Sequence, residues 1–120
     1  MPDLTALVES HLQSARASTH RRSTELVVHD GVLRQTVIAL AAGAELGEHN
    51  APPAASVQVL HGRVRVTGQG DEELAQGRLV TLAHERHAVV ALEDAVFLLT
   101  TVTSVDDRDG GPGETRGLSA

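Results

Sequence analysis

Val57-Gln58-Val59-Leu60-His61-Gly62-Arg63-Val64-Arg65-Val66-Thr67 is the stretch whose reading decides the fold. Val64 and Val66 alternate with Arg63 and Arg65, so one face of this segment is apolar and the other charged, the period-two signature of a half-buried strand. Val57 to Leu60 reads as a second strand. The two arms are expected to form a hairpin about His61-Gly62.

The same reading extends in both directions. Glu25 to Val28 and Val32 to Leu40 flank His29-Asp30-Gly31, where Asp-Gly is a strong hairpin signal. Ala41 to Pro53 reads as loop with a short strand near Leu46 to Asn50. Gly68-Gln69-Gly70-Asp71 turns the chain, Glu72 to Ala75 is a short strand, and Gln76-Gly77 is the next turn. Arg78 to Leu82, Ala88 to Leu92 and Val96 to Val102 complete the set, with Glu93-Asp94 as the last tight turn. Seven to nine short strands with frequent turns indicate an all-β sandwich or barrel.

Two segments break this pattern. Leu4, Leu7, Val8, Leu12 and Ala15 recur at helical spacing behind Asp3, a good N-cap, so Asp3 to about Ala17 is predicted as one amphipathic helix lying across the outside of a sheet. His11, on or beside its apolar stripe, reads as a packed or surface histidine. From about Val105 the chain is polar and glycine-rich, and disorder is expected there. The domain reading is therefore a helix and linker over 1–20, a β-barrel over 21–104, and an acidic tail over 105–120.

Composition narrows the function. At 120 residues the chain fits one domain, which buries roughly two-thirds of the surface exposed by its unfolded form. Hydrophobic residues make up 41% but aromatics only 1%, so the core is built from aliphatic side chains around the single Phe97, and an interior pocket would offer few stacking platforms. The formal net charge is −6 and all 10 basic residues are Arg, which excludes Schiff-base chemistry on lysine and disfavours nucleic acid as a partner. Arg21-Arg22, Arg63 and Arg65 read as solvated faces. Cysteine is absent, so disulfides, thiolate nucleophiles and sulfur-ligated metals are excluded. No run approaches the ~20 apolar residues of a membrane span, and no charged n-region precedes an apolar stretch. A cytoplasmic protein is the expectation.

Two blocks carry a family resemblance. From Gly43 the chain runs through His49-Asn50-Ala51-Pro52-Pro53-Ala54-Ala55 to Gly62, and a second block runs from Gly77 to His87. These resemble the motifs of the cupin family, small jelly-roll proteins built as a double-stranded β-helix. The resemblance covers roughly Leu33 to Val102, and it is closest to the small single-domain cupins at Gln58-Val59-Leu60 and His87-Ala88-Val89. It implies a cupin barrel with one N-terminal helix and, by analogy with small cupins, a homodimer.

The resemblance also implies a divalent metal, Fe, Mn, Ni or Zn, held by histidines and a carboxylate. Here Gly43, His49 and Gly62 fall in register, but Ala51 stands where the family places a second His and Ala55 where it places Glu. In the second motif Gly77 and His87 match, while Ala83 replaces Pro. His49 and His87 would supply two ligands at most, with His84 or Glu48 as substitutes for a third. His61 lies about 20 Å along the strand at ~3.3 Å per residue, so it belongs to the turn.

The leading functional reading is a small-molecule-binding barrel with a degenerate metal site, its pocket formed by His49, Ala51, Ala55, Val57, Val59, His87 and Val89. The same valines would equally close the core. One alternative is a metal-dependent enzyme of oxygenase or isomerase type using His49, His87 and an unconventional third ligand. Another is an interaction module docking through the Arg63 and Arg65 face or the helix. An imidazole at the mouth, with an ordinary pKa of ~6.5, suits a general base. No residue is marked out as a nucleophile.

Overall fold

A computed structural model describes residues 1–47, 54–68, 70–82 and 87–103. The predicted helix, α1 (Leu4–Ala17), is present, and Asp3 caps it by accepting hydrogen bonds from the Thr5 and Ala6 amides. Nine strands follow: β1 (Arg22–Asp30), β2 (Leu33–Leu40), β3 (Glu45–Leu46), β4 (Ala54–His61), β5 (Arg63–Thr67), β6 (Glu72–Ala75), β7 (Leu79–Thr81), β8 (Ala88–Ala91) and β9 (Ala95–Val102). They form a five-stranded sheet in the order β1-β2-β9-β4-β7 and a four-stranded sheet in the order β3-β8-β5-β6, with every pair antiparallel. The architecture is an all-β jelly roll with one N-terminal helix. Among the described residues no helix is long and apolar enough to cross a membrane.

The β1–β2 hairpin turns where Asp30-Gly31 placed it, and Gly31 adopts φ +58. The expected β4–β5 hairpin does not form. β4 pairs with β7 and β9, β5 pairs with β6 and β8, and the chain passes between sheets at Gly62. Gly62 has φ +81, and a Cβ there would run into the Asp94 carbonyl oxygen and lie 2.9 Å from Ala95 Cα. His61-Gly62 is therefore a corner rather than a two-strand turn. Alternation reads faces but not partners, which is why the two arms looked like neighbours.

Alternation sorts the core into two layers. On β9, Ala95, Phe97 and Leu99 point between the sheets, where they meet Val57 and Val59 of β4 and Val64 and Val66 of β5. Val96 and Leu98 point the other way and meet Leu12 and Ala15 of α1, together with Val37 and Ala39 of β2. Both faces of β9 are thus buried. Phe97, the single aromatic residue, is fully enclosed. The Arg63 and Arg65 side chains lie on the outer face of the four-stranded sheet, where they pair with Glu73, and Arg63 also with Glu93.

Polar contacts fix the helix at two points. The His11 ring nitrogens lie 2.6 Å from Ser23 Oγ and 2.8 Å from Glu25 Oε1, joining α1 to β1. At the helix C-terminus, Arg16 Nε donates to Asp94 Oδ2 at 2.7 Å, and Asp94 Oδ1 accepts from the Ala42 amide at 2.8 Å. The hydrogen bond from Arg16 chiefly, and that from the Ala42 amide, hold the Asp94 carboxyl below its usual range.

A lowered folded-state pKa contributes stability that is present above the ordinary carboxylate range and lost as pH falls through the lowered value. Asp94→Asn is therefore expected to flatten the acid limb of the stability–pH curve, read from denaturant midpoints between neutral pH and about pH 3. In the same assay Gly62→Ala is expected to cost at least about 2 kcal/mol, since the methyl meets backbone in a left-handed conformation. Gly77, with φ +91 and no atom within 4 Å of a built Cβ, should lose only about 1 kcal/mol on the same change.

Candidate functional site

The two ends of the jelly roll differ. The Gly62 corner and the β8–β9 turn close one end, where the Gly43 amide donates to the Ala91 carbonyl and the Ala91 amide to the Ala44 carbonyl. The other end gathers the start of β4, the end of β9, the end of β7 and the residue preceding β8. This second end holds the candidate site.

His87 precedes β8 and shares side-chain parity with Val89 and Ala91, both of which are in the core between the sheets. It is only 7% exposed, one of two buried polar residues among those described. On the facing sheet, Ala55 shares parity with Val57 and Val59, packs against the same core and presents a methyl group there. Val57, Val59 and Val89 lie deeper and are almost completely enclosed. Of the residues expected at the site, the structure places Ala55, Val57, Val59, His87 and Val89 on the inner faces of the two sheets. His49, Ala51 and His84 lie outside the described residues, as do Glu48 and the tail. His61 sits at the closed end on the exposed terminus of β4, away from the site.

Among the described residues no three imidazole or carboxylate side chains come together. The ligand position at Ala55 offers only a methyl. The described residues alone therefore supply one imidazole of the at least three nitrogen or oxygen ligands that hold a divalent ion firmly.

The sequence reading missed Thr101. Ala55 and Thr101 are direct cross-strand partners in the β4–β9 ladder, so their Cβ atoms lie about 5 Å apart on one face. Leu82 flanks Ala55 on the other side, its amide donating to the Ala55 carbonyl at 2.9 Å. Thr101 is 4% exposed and its Oγ1 has no hydrogen-bond partner among the described residues. An unpaired buried hydroxyl costs about 1–3 kcal/mol. The signal was present in the strand itself: Thr101 follows Phe97 and Leu99 at intervals of two, a hydroxyl on the apolar parity of β9.

No family model matches the chain, and no curated protein matches it. Solved structures do. A conserved protein of unknown function from Streptococcus pyogenes is 28% identical, with a TM-score of 0.65 over 73% of this chain and 79% of that one. An RmlC-like cupin protein from Desulfovibrio desulfuricans is 26% identical, with a TM-score of 0.58 over 68% of this chain and 81% of that one. The salicylate 1,2-dioxygenase of Pseudoaminobacter salicylatoxidans shares the fold at 15% identity and a TM-score of 0.68, matching 81% of this chain but 32% of the enzyme.

Thr101→Val replaces the unpaired hydroxyl by a methyl of nearly the same shape. The variant is expected to be more stable by about 1 kcal/mol, measured by chemical denaturation. A destabilised variant would show that the hydroxyl is satisfied in solution.

Proposed function

We propose that this cupin-type domain binds a small organic molecule between its sheets, at the end lined by His87 and Ala55, without needing a metal ion. The observation that supports this reading is the pairing of a buried imidazole on one inner face with a methyl on the other, where the family pattern would place a carboxylate. Ala55 removes charge and bulk from the mouth. The surrounding aliphatic side chains favour a hydrocarbon body, and imidazole supplies a directional hydrogen bond to a polar end. Val57, Val59 and Val89 form the floor of the proposed pocket, and His49 and Ala51, which the first motif assigns to it, lie outside the described residues.

In this reading His87 orients the ligand. The aliphatic walls exclude water, which strengthens that hydrogen bond. The five-stranded sheet leaves β1 and β7 at its edges, and Leu26, Val32 and Leu79 are exposed near them. Those edges support the further proposal that two copies of the chain pair.

Elemental analysis of protein purified without an affinity tag, then offered Fe(II), Mn(II), Ni(II) and Zn(II) separately, tests this function. The expected result is far less than one metal per chain with all four ions, together with a bound organic molecule in native mass spectrometry that His87→Leu releases. One tightly held ion per chain, lost in both His49→Ala and His87→Ala, would overturn the proposal in favour of a metal-dependent enzyme.

A further inference from the structure

Thr101 belongs to a row that crosses the five-stranded sheet at the end holding the site. Its partner in the β2–β9 ladder is Arg34, and the partner of Arg34 in the β1–β2 ladder is His29. A register shift between Leu26 and Val28 gives β1 an extra residue, so Val27 packs on the helix side while His29 stays opposite Arg34. Direct cross-strand partners share a face. His29, Arg34, Thr101, Ala55 and Leu82 therefore line one inner edge of the sheet, basic and polar at the β1 side and aliphatic at the β7 side.

Two features of this row call for a partner. The Thr101 hydroxyl is desolvated and, among the described residues, unpaired. Arg34 is half-buried, and its Nη1 donates to the Gly31 carbonyl at 2.7 Å, which anchors the guanidinium at the hairpin turn. Among the described residues no carboxylate pairs with Arg34, whereas Arg16, Arg63 and Arg65 all have acidic partners. In a chain of net charge −6, a half-buried Arg34 with no acidic partner among the described residues, paired across the ladder with Thr101, suits an anionic oxygen ligand.

We infer that the site takes a small carboxylic acid, with the carboxylate held by Arg34 and Thr101 and the hydrocarbon body lying over Ala55 and Leu82 toward Leu99. This deepens the binding reading proposed above and rests on it. One guanidinium and one neutral hydroxyl match a single negative charge, and the planar fork of Arg suits a carboxylate. A phosphate dianion would be left with one cation and an apolar neighbour. Thr101 would then be unpaired only while the site is empty, a cost to the free protein that the ligand removes.

Titrations of the full chain with hexanoate, 1-hexanol and inorganic phosphate, read from the methyl resonances of Val57, Leu82, Val89 and Leu99, test the assignment. Hexanoate is expected to bind saturably and to weaken about tenfold or more in Thr101→Val and in Arg34→Gln, with Arg34→Lys in between. 1-Hexanol should bind all four proteins alike. Thr101→Val is expected to melt no lower than the parent, and its thermal midpoint, measured alongside, separates a loss of affinity from a loss of fold. Hexanoate binding unchanged in Thr101→Val and Arg34→Gln would overturn the carboxylate assignment, as would phosphate binding that depends on Arg34 while hexanoate binding does not. If 1-hexanol moves the interior methyls in those cases, the binding reading stands and only this inference fails. If neither hexanoate nor 1-hexanol moves them, both fail.

Discussion

Burial of β9 on both faces is the constraint on which the rest of the structure depends. A strand enclosed on two sides needs apolar residues at consecutive positions, and Ala95-Val96-Phe97-Leu98-Leu99 supplies five. Its alternate side chains bind two layers together: Phe97 and Leu99 into the space between the sheets, Val96 and Leu98 into the cover made by α1. Without the helix, Val96 and Leu98 would face water together with Val37 and Ala39. The N-terminal helix is therefore part of the core, and the His11 and Arg16 contacts set its position along the sheet.

The same strand ends the apolar run at the end that holds the candidate site. Thr100 and Thr101 follow Leu99, and the two hydroxyls have different fates because they point to opposite faces. Thr100 Oγ1 accepts from Gln35 Nε2 at 3.0 Å on the outer face. Thr101 Oγ1 faces inward and finds no partner among the described residues. His87 and Ala55, on the two facing sheets, bound the same space.

Much of the fold was legible because alternation and turn residues are local. The Asp3 cap and the stripe from Leu4 to Ala15 gave α1, and Asp30-Gly31 gave the first hairpin. Val64, Val66 and Val89 gave their faces directly. Strand partners were not legible, because pairing depends on which segments meet across the sheet. Hence Val57 to Thr67 looked like a hairpin although Gly62 carries the chain between sheets. The site was readable only where a motif residue survives, as at His87. Thr101 and Arg34 belong to no motif, and their relation appears only when β2 and β9 are laid side by side.

The position of β9 in the chain has a consequence for how the molecule is made. β2 and β4 both pair with β9, and neither pairs with the other. During synthesis the β1–β2 hairpin emerges early, yet its inner partner is the final strand of the sheet, separated from it by six other strands. The five-stranded sheet therefore cannot assemble progressively from the N-terminus. Until residue 102 has left the ribosome, β2 and β4 expose unpaired edges, and α1 lacks the Val96 and Leu98 part of its floor. Such non-local closure delays folding until β9 is available and leaves the nascent chain open to edge-to-edge association before then.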